Sequence, residues 1–207
     1  MRAPRGFELA GVTAGIKESG RSDLGLIYSP HPLAWAFVGT TNLVKAPCVS
    51  RNRARFATGQ PVRAVVVNSG NANCANGERG IWDNEDLAGA AAAALALDRV
   101  QDVLTASTGV IGVPLPVDKL KAAVPRAASD LTGDTAAFAE AILTTDTVAK
   151  EAAVTLSSGA RVVGVAKGSG MIHPNMATLL AFVMTDARVS QERLREAWPR
   201  VVDATFN

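Results

Sequence analysis

Cysteine, histidine and aromatic side chains are scarce in these 207 residues: two Cys, two His, and 5% Phe, Trp and Tyr together. Cys48 and Cys74 are too few to staple a disulfide-rich secreted fold. MRAPRGFELAG carries no apolar signal-peptide segment, so the expected compartment is the reducing cytoplasm. His31, His173, Cys48 and Cys74 form no C-x-x-C or H-x-x-x-H pair, and no metal site is predicted. An excess of charge is missing too. There are 21 basic and 19 acidic side chains, a net charge of +2, and this lacks the basic face of a nucleic-acid binder. The densest basic cluster, RNRARF (51–56), reads as a solvated turn before a strand rather than an anion contact. Long apolar runs are also absent. The Ala-rich run 87–97 is far short of the ~20 residues a membrane helix needs, so no membrane association is predicted.

Apolar residues nonetheless make up 48% of the chain, so Ala, Val and Leu must fill the core. Strand-like runs recur: LGLIYS (24–29), LAWAFVGTTN (33–42), VRAVVVNSG (62–70), VLTASTGVIG (103–112), ARVVGVAKGSG (160–170) and TLLAFVMTD (178–186). Each is bounded by Gly, Pro, Asn or Asp. Helical patterns lie between them. DNEDLAGAAAAALALD has Asp83 as its expected N-cap, and PVDKLKAAV begins at Pro116. DTAAFAEAIL and SQERLREAWPRVVDATF follow, the last expected to kink or split at Pro199. RAASDLTGD (126–134) reads as a surface loop. The strands are continuously apolar rather than alternating, which predicts sheets covered on both faces. The fold class expected is α+β, a layered sandwich with sheets inside and helices outside. The chain stops in a running helix, RVVDATFN, which suggests one piece of a longer precursor.

Chemistry concentrates in AKGSGMIHPNMATLLAFVMTD (166–186). GSG there lacks the G-x-S-x-G of a nucleophile elbow and the G-K-[ST] of a phosphate loop. Lys167 ends an apolar strand, either as a surface lysine or as an ammonium aimed at a substrate carboxylate. ASTGVIG (106–112) sets Ser107, Thr108 and Gly109 in a row. It is an ordinary strand-ending turn or an oxyanion hole, a hydroxyl beside a glycine N–H. Cys74, after NSGNAN, reads as a packed small residue. Thr178 lies between a turn-rich loop and an apolar run, as a core β-branched residue or as a nucleophile. A neutral threonine needs a base. Cutting the Ala177–Thr178 bond supplies one, because the new α-amine titrates near pH ~8 and takes the hydroxyl proton. The cut itself follows if the Thr178 hydroxyl attacks the Ala177 carbonyl and water hydrolyses the ester.

KGSGMIHPNMATLL closely resembles the self-cleavage segment of the ornithine acetyltransferase family, the glutamate N-acetyltransferases of arginine biosynthesis. PRGFELAGVTAGIKESGRSDLGLIYS, VVVNSGNANCANG, ASTGVIG and ILTTDT are similar, in order, to further segments of that family, so the likeness spans nearly the whole chain. The resemblance implies cleavage between Ala177 and Thr178, giving an α chain (1–177) and the start of a β chain (178–207) within one domain, 1–207. The rest of the β chain is expected beyond this sequence, since family precursors run to about twice its length. It implies that Thr178 takes acetyl from N2-acetylornithine and passes it to L-glutamate, with no cofactor. Acetyl-CoA stays open as a co-substrate. Thr108 and Gly109 match the family's oxyanion donors, Lys167 its substrate-binding lysine, and Thr144 or Thr145 a further substrate contact. The implied fold is two β-sheets flanked by helices, resembling N-terminal-nucleophile hydrolases with different connectivity. The implied assembly is an α/β heterodimer built into a higher oligomer. Cys74 and Ala75 vary the family loop slightly.

Two other readings compete. A self-processing N-terminal-nucleophile amidase or aminopeptidase shares the Thr178 chemistry but lets water resolve the acyl-enzyme. A non-cleaving binding domain predicts an intact Ala177–Thr178 bond. Clavulanic-acid-type biosynthesis uses similar enzymes, so the pathway is also open.

Overall fold

The computed structural model describes residues 1–170 and 179–206. Strands β1 (Glu8–Val12), β2 (Leu24–Leu33), β3 (Val62–Asn71) and β4 (Val103–Val110) form one sheet in the order β1-β2-β3-β4. The β1–β2 and β2–β3 pairs are antiparallel, and β3–β4 is parallel. A parallel pair needs a crossover, and helix α2 (Gly77–Ala94) provides it. β5 (Lys150–Thr155), β6 (Arg161–Lys167) and β7 (Leu180–Thr185) form a second, antiparallel sheet in chain order.

Alternation along the strands of the first sheet feeds two cores. Ala10, Val12, Leu26 and Val66 face α2 and helix α3 (Val117–Ser129), against Leu87, Ala91, Leu120 and Val124. Leu9, Ile27 and Val67 face the other way, toward Phe138 and Ile142 and, from the second sheet, Val163, Val165 and Met184. Both faces of the first sheet are therefore buried, as its continuous apolar runs predict. The layers run from helices through the first sheet to α4 (Ala136–Ala141) and the second sheet. Gly11 and Gly25 are register partners and make the notch for α4. A Cβ at Gly11 would lie 1.9 Å from the Ala137 carbonyl oxygen, and one at Gly25 would lie 2.8 Å from the Phe138 ring.

Several expectations need correction. RNRARF is no solvated turn; it belongs to helix α1 (Pro47–Ala57), which straps the open edge of β4. Asn52 donates to the Thr105 carbonyl at 2.8 Å and accepts the Thr105 N–H at 3.3 Å, standing in for a neighbouring strand. Arg51 donates to the Val100 and Val103 carbonyls, and Arg55 to those of Gln101 and Pro61. LAWAFVGTTN forms no strand beyond Leu33. Pairing to β3 stops there after a register shift, and Trp35 instead buries its ring against Phe56. Asp83 is not an N-cap, because α2 begins at Gly77 and Asp83 lies within it, bonded to Arg79. The loop expected over 126–134 holds the last turn of α3 at its start, and Thr132 bridges back to Leu9. Helix α5 (Gln191–Thr205) is not split by Pro199; Ser190 caps it. β1 and β5 lie outside the six strand-like runs of the sequence.

Candidate active site

β3 and β4 end side by side, and buried polar residues gather at that end. Asn68, Ser69, Asn71 and Asn73 are all buried. Asn68 accepts from the Ser107 hydroxyl at 2.7 Å and donates to the Asn71 carbonyl at 2.8 Å. Asn71 donates to the Val113 and Pro114 carbonyls, tying the chain after β4 back to β3. Asn73 donates to the Gly80 carbonyl in the first turn of α2. A carboxamide carries both donors and an acceptor, so these asparagines satisfy backbone groups that the ladder no longer pairs. That accounts for NSGNAN as a frame.

Thr108 and Gly109 sit in this frame as register partners of Ser69 and Gly70. Gly109 has φ +135°, and a Cβ there would lie 2.3 Å from the Gly70 carbonyl carbon. Only glycine fits so close to the neighbouring backbone. Lys167 approaches from the second sheet. It is the last residue of β6 and 3% exposed, so it is not a surface lysine. Its Nζ donates to Thr108 Oγ1 at 3.1 Å. With a lone pair taken, the Thr108 hydroxyl is free to donate its own proton elsewhere, and the cation polarises that O–H. Burial pulls the Lys167 ammonium below its usual value; the Asp146 carboxylate opposes this, and the Lys150 charge adds to it.

The TTDT segment closes the same end. The Asp146 side chain is fully buried, and its Oδ1 accepts from the Gly168 N–H at 2.8 Å and from the Lys150 ammonium. Burial pushes this carboxyl up, but the Lys150 and Gly168 hydrogen bonds and the charges of Lys150 and Lys167 hold it below its ordinary value. The Thr145 hydroxyl is exposed and lies 2.9 Å from that of Ser169, while Thr144 is half-buried. Lys17 donates to the Ser22 and Ala141 carbonyls at 2.6 and 3.4 Å. Asp23, buried on β2's flank, accepts the N–H groups of Ala14, Ile16 and Lys17.

Thr108, Gly109, Lys167 and the Thr144–Thr145 segment thus converge. Ala177, Thr178 and His173 lie outside the described residues. Leu180, the register partner of Lys167, follows Thr178 by two positions in the sequence. Among the described residues, no three His, Cys, Asp or Glu side chains cluster as metal ligands, and no helix is long and apolar enough to cross a membrane.

Comparison with known proteins places the chain in a family. The ArgJ family profile matches residues 8–207. The chain belongs to the ArgJ family. It is 58% identical to the arginine biosynthesis bifunctional protein ArgJ of Thermus thermophilus over its whole length, which is 53% of that relative. It is 53% identical to the ArgJ of Deinococcus radiodurans, over 99% of this chain and 52% of the relative. The chain therefore spans about half the length of the curated ArgJ proteins it matches. Its fold is similar to that of ornithine acetyltransferase from Mycobacterium tuberculosis, solved in complex with ornithine. The TM-score is 0.79 at 41% identity, over 86% of this chain and 94% of the other. The ArgJ structure from Bacillus halodurans aligns with a TM-score of 0.71 at 35% identity, over 84% and 92%. The two-sheet α+β sandwich, like that of N-terminal-nucleophile hydrolases, is thus the ArgJ fold. The structure of this ArgJ chain sets Lys167 against Thr108 and Gly109 and adds Asp146, Lys17 and Asn68, which no motif in the sequence marks. Asp146 adjoins the threonines of TTDT, the one local signal available.

Proposed function

We propose that this chain is the acyl-transfer half of a glutamate N-acetyltransferase of arginine biosynthesis. It moves acetyl from N2-acetylornithine to L-glutamate through an ester on Thr178, after cleavage of the Ala177–Thr178 bond. The observation that carries the reading is the Lys167–Thr108 hydrogen bond beside Gly109. It joins a carboxylate-binding cation to an oxyanion donor at the point where β6 turns toward the cleavage segment.

In this mechanism the Thr178 Oγ attacks the acetyl carbonyl of N2-acetylornithine while its α-amine takes the hydroxyl proton. Negative charge gathers on the carbonyl oxygen, opposite the Thr108 hydroxyl and the Gly109 N–H. The C–N bond breaks, the α-ammonium returns its proton to the leaving nitrogen, and ornithine departs. The amine of glutamate then attacks the acetyl ester. N-acetylglutamate leaves and the threonine hydroxyl is restored. Donor and acceptor are both amino acids, so one lysine, Lys167, serves both α-carboxylates in turn, with Thr144 or Thr145 as a further contact.

The α chain (1–177) and the β chain that begins at Thr178 are expected to stay together, assemble further and act in the cytoplasm. Acetyl-CoA is the second donor to try. The test is intact mass of the full-length protein beside a Thr178→Ala variant. Two wild-type fragments split before Thr178, an uncut variant, and one acetyl group gained by the β chain on adding N2-acetylornithine are expected. An uncut wild-type chain sinks the reading. Acetyl loss to water at the same rate with and without glutamate turns it into an amidase.

A further inference from the structure

We propose that Asp146 is a positioning residue for acetyl transfer: its carboxylate fixes the chain where it leaves β6 and supplies the negative charge opposite the Lys167 ammonium. The inference rests on the acetyl-transfer reading above and deepens it.

Three observations carry it. First, the Asp146 side chain is 0% exposed, and the Gly168 N–H donates to its Oδ1 at 2.8 Å. Gly168 has φ +146°, so the backbone turns there into a conformation that few other residues take. Asp146 therefore sets where Lys167 ends and the cleavage segment begins. Second, Lys150 also donates to Oδ1, while Oδ2 has no hydrogen-bond partner among the described residues. A buried carboxylate with one free oxygen leaves much of its field for its neighbours. Third, the Thr108 hydroxyl that accepts from Lys167 is neutral. A buried ammonium with only a neutral acceptor drifts toward its uncharged form, which no longer attracts a substrate carboxylate.

The charged groups around Lys167 divide by sign. Asp146, between α4 and β5, favours the cation, and Lys150, at the start of β5, opposes it; Lys17, after β1, is a like charge that Lys167 itself repels. Thr108, from β4, is neutral. Two variants of the full-length, matured enzyme therefore act with opposite sign. Asp146→Asn keeps the shape and removes the favourable charge. Lys150→Gln removes a repulsive one.

The measurement is KM and kcat for N2-acetylornithine and glutamate from about pH 6 to about pH 9. In Asp146→Asn, KM for both substrates rises about tenfold at the alkaline end with kcat less affected, and the defect shrinks toward acid, which restores the charge. In Lys150→Gln, the alkaline rise in KM moves to higher pH. Should Asp146→Asn fail to fold, the Lys150→Gln shift still reads the same field. A pH-independent loss in Asp146→Asn, or an alkaline limb that stays put or moves down in Lys150→Gln, overturns the proposal while acetyl transfer by the wild type stands. Wild-type enzyme that moves no acetyl between the two substrates overturns both readings.

Discussion

Lys167 and Thr108 belong to different sheets, yet the lysine Nζ lies 3.1 Å from the threonine Oγ1. The bond joins the end of β6 to the end of β4 and leaves the Thr108 proton free to point away from the lysine. In Thr108→Val the volume stays and the hydroxyl goes. The expected result is a kcat about 10²–10³-fold lower, the worth of one oxyanion donor, with some loss of melting temperature because the buried Lys167 ammonium loses its acceptor. Thr108→Ser should keep most of the activity. Steady-state kinetics of the two variants checks this, and a Thr108→Val enzyme within a few-fold of wild type would remove Thr108 from the oxyanion hole.

Gly109, the backbone donor of the proposed hole, tests how tightly the two strand ends pack. Its φ is +135°, and a Cβ would meet the Gly70 carbonyl carbon at 2.3 Å, so there is no room for a methyl group. Gly109→Ala is expected to force β4 away from β3 and to lose at least about 3 kcal/mol of stability. Urea unfolding reads the loss. Wild-type stability in this variant would mean the two strand ends can separate without cost.

How far the sequence disclosed this structure depended on whether a residue's partner was near in the chain. β3, β4, β6 and β7 announced themselves as apolar runs, because both sides of the first sheet and the inner side of the second are buried. Helix α1 did not, because its inward face is Cys48, Asn52 and Arg55 rather than an apolar stripe. Spacing at i, i+4 and i+7 was present, but polar side chains carried it. The 33–42 run had strand composition and no strand to pair with, since β2 leaves the ladder after Leu33. β5 is an edge strand exposed along most of its length, so no burial pattern marks it. Asp146 has no reading from the sequence, because one of the two groups it accepts from, the Gly168 N–H, lies beyond β5 and β6. Thr108, Gly109 and Lys167 were legible through motif and resemblance, but their mutual contact was a tertiary fact.

The strap on β4 gives a prediction independent of catalysis. Asn52 is 7% exposed and serves both the N–H and the C=O of Thr105. Asn52→Leu fills the space but leaves two buried backbone groups unpaired, a loss of about 2–4 kcal/mol. Hydrogen exchange should show the Thr105 amide losing its protection in the variant. An amide that stays protected would mean another group covers that edge.

Lys17 makes the stability depend on pH in a direction opposite to the usual surface lysine. Burial pulls it from 10.5 down to about 8, against the Asp23 carboxylate, and the Arg21 and Lys167 charges add to the fall. Below about 8 the folded and unfolded chains both hold the proton, and the full cost of burying the charge is present. Between about 8 and 10.5 the unfolded chain holds more protons than the folded one, so this group's contribution to stability rises with pH. Lys17→Met removes that titration along with the hydrogen bonds to Ser22 and Ala141. Those bonds offset the variant at every pH and leave the slope to the charge. The stability of wild type minus that of Lys17→Met is therefore expected to climb as pH rises through this window. Urea unfolding of both proteins at its two ends measures the climb. A flat difference would place the Lys17 ammonium in contact with water, and a falling one would mean that Asp23 outweighs burial.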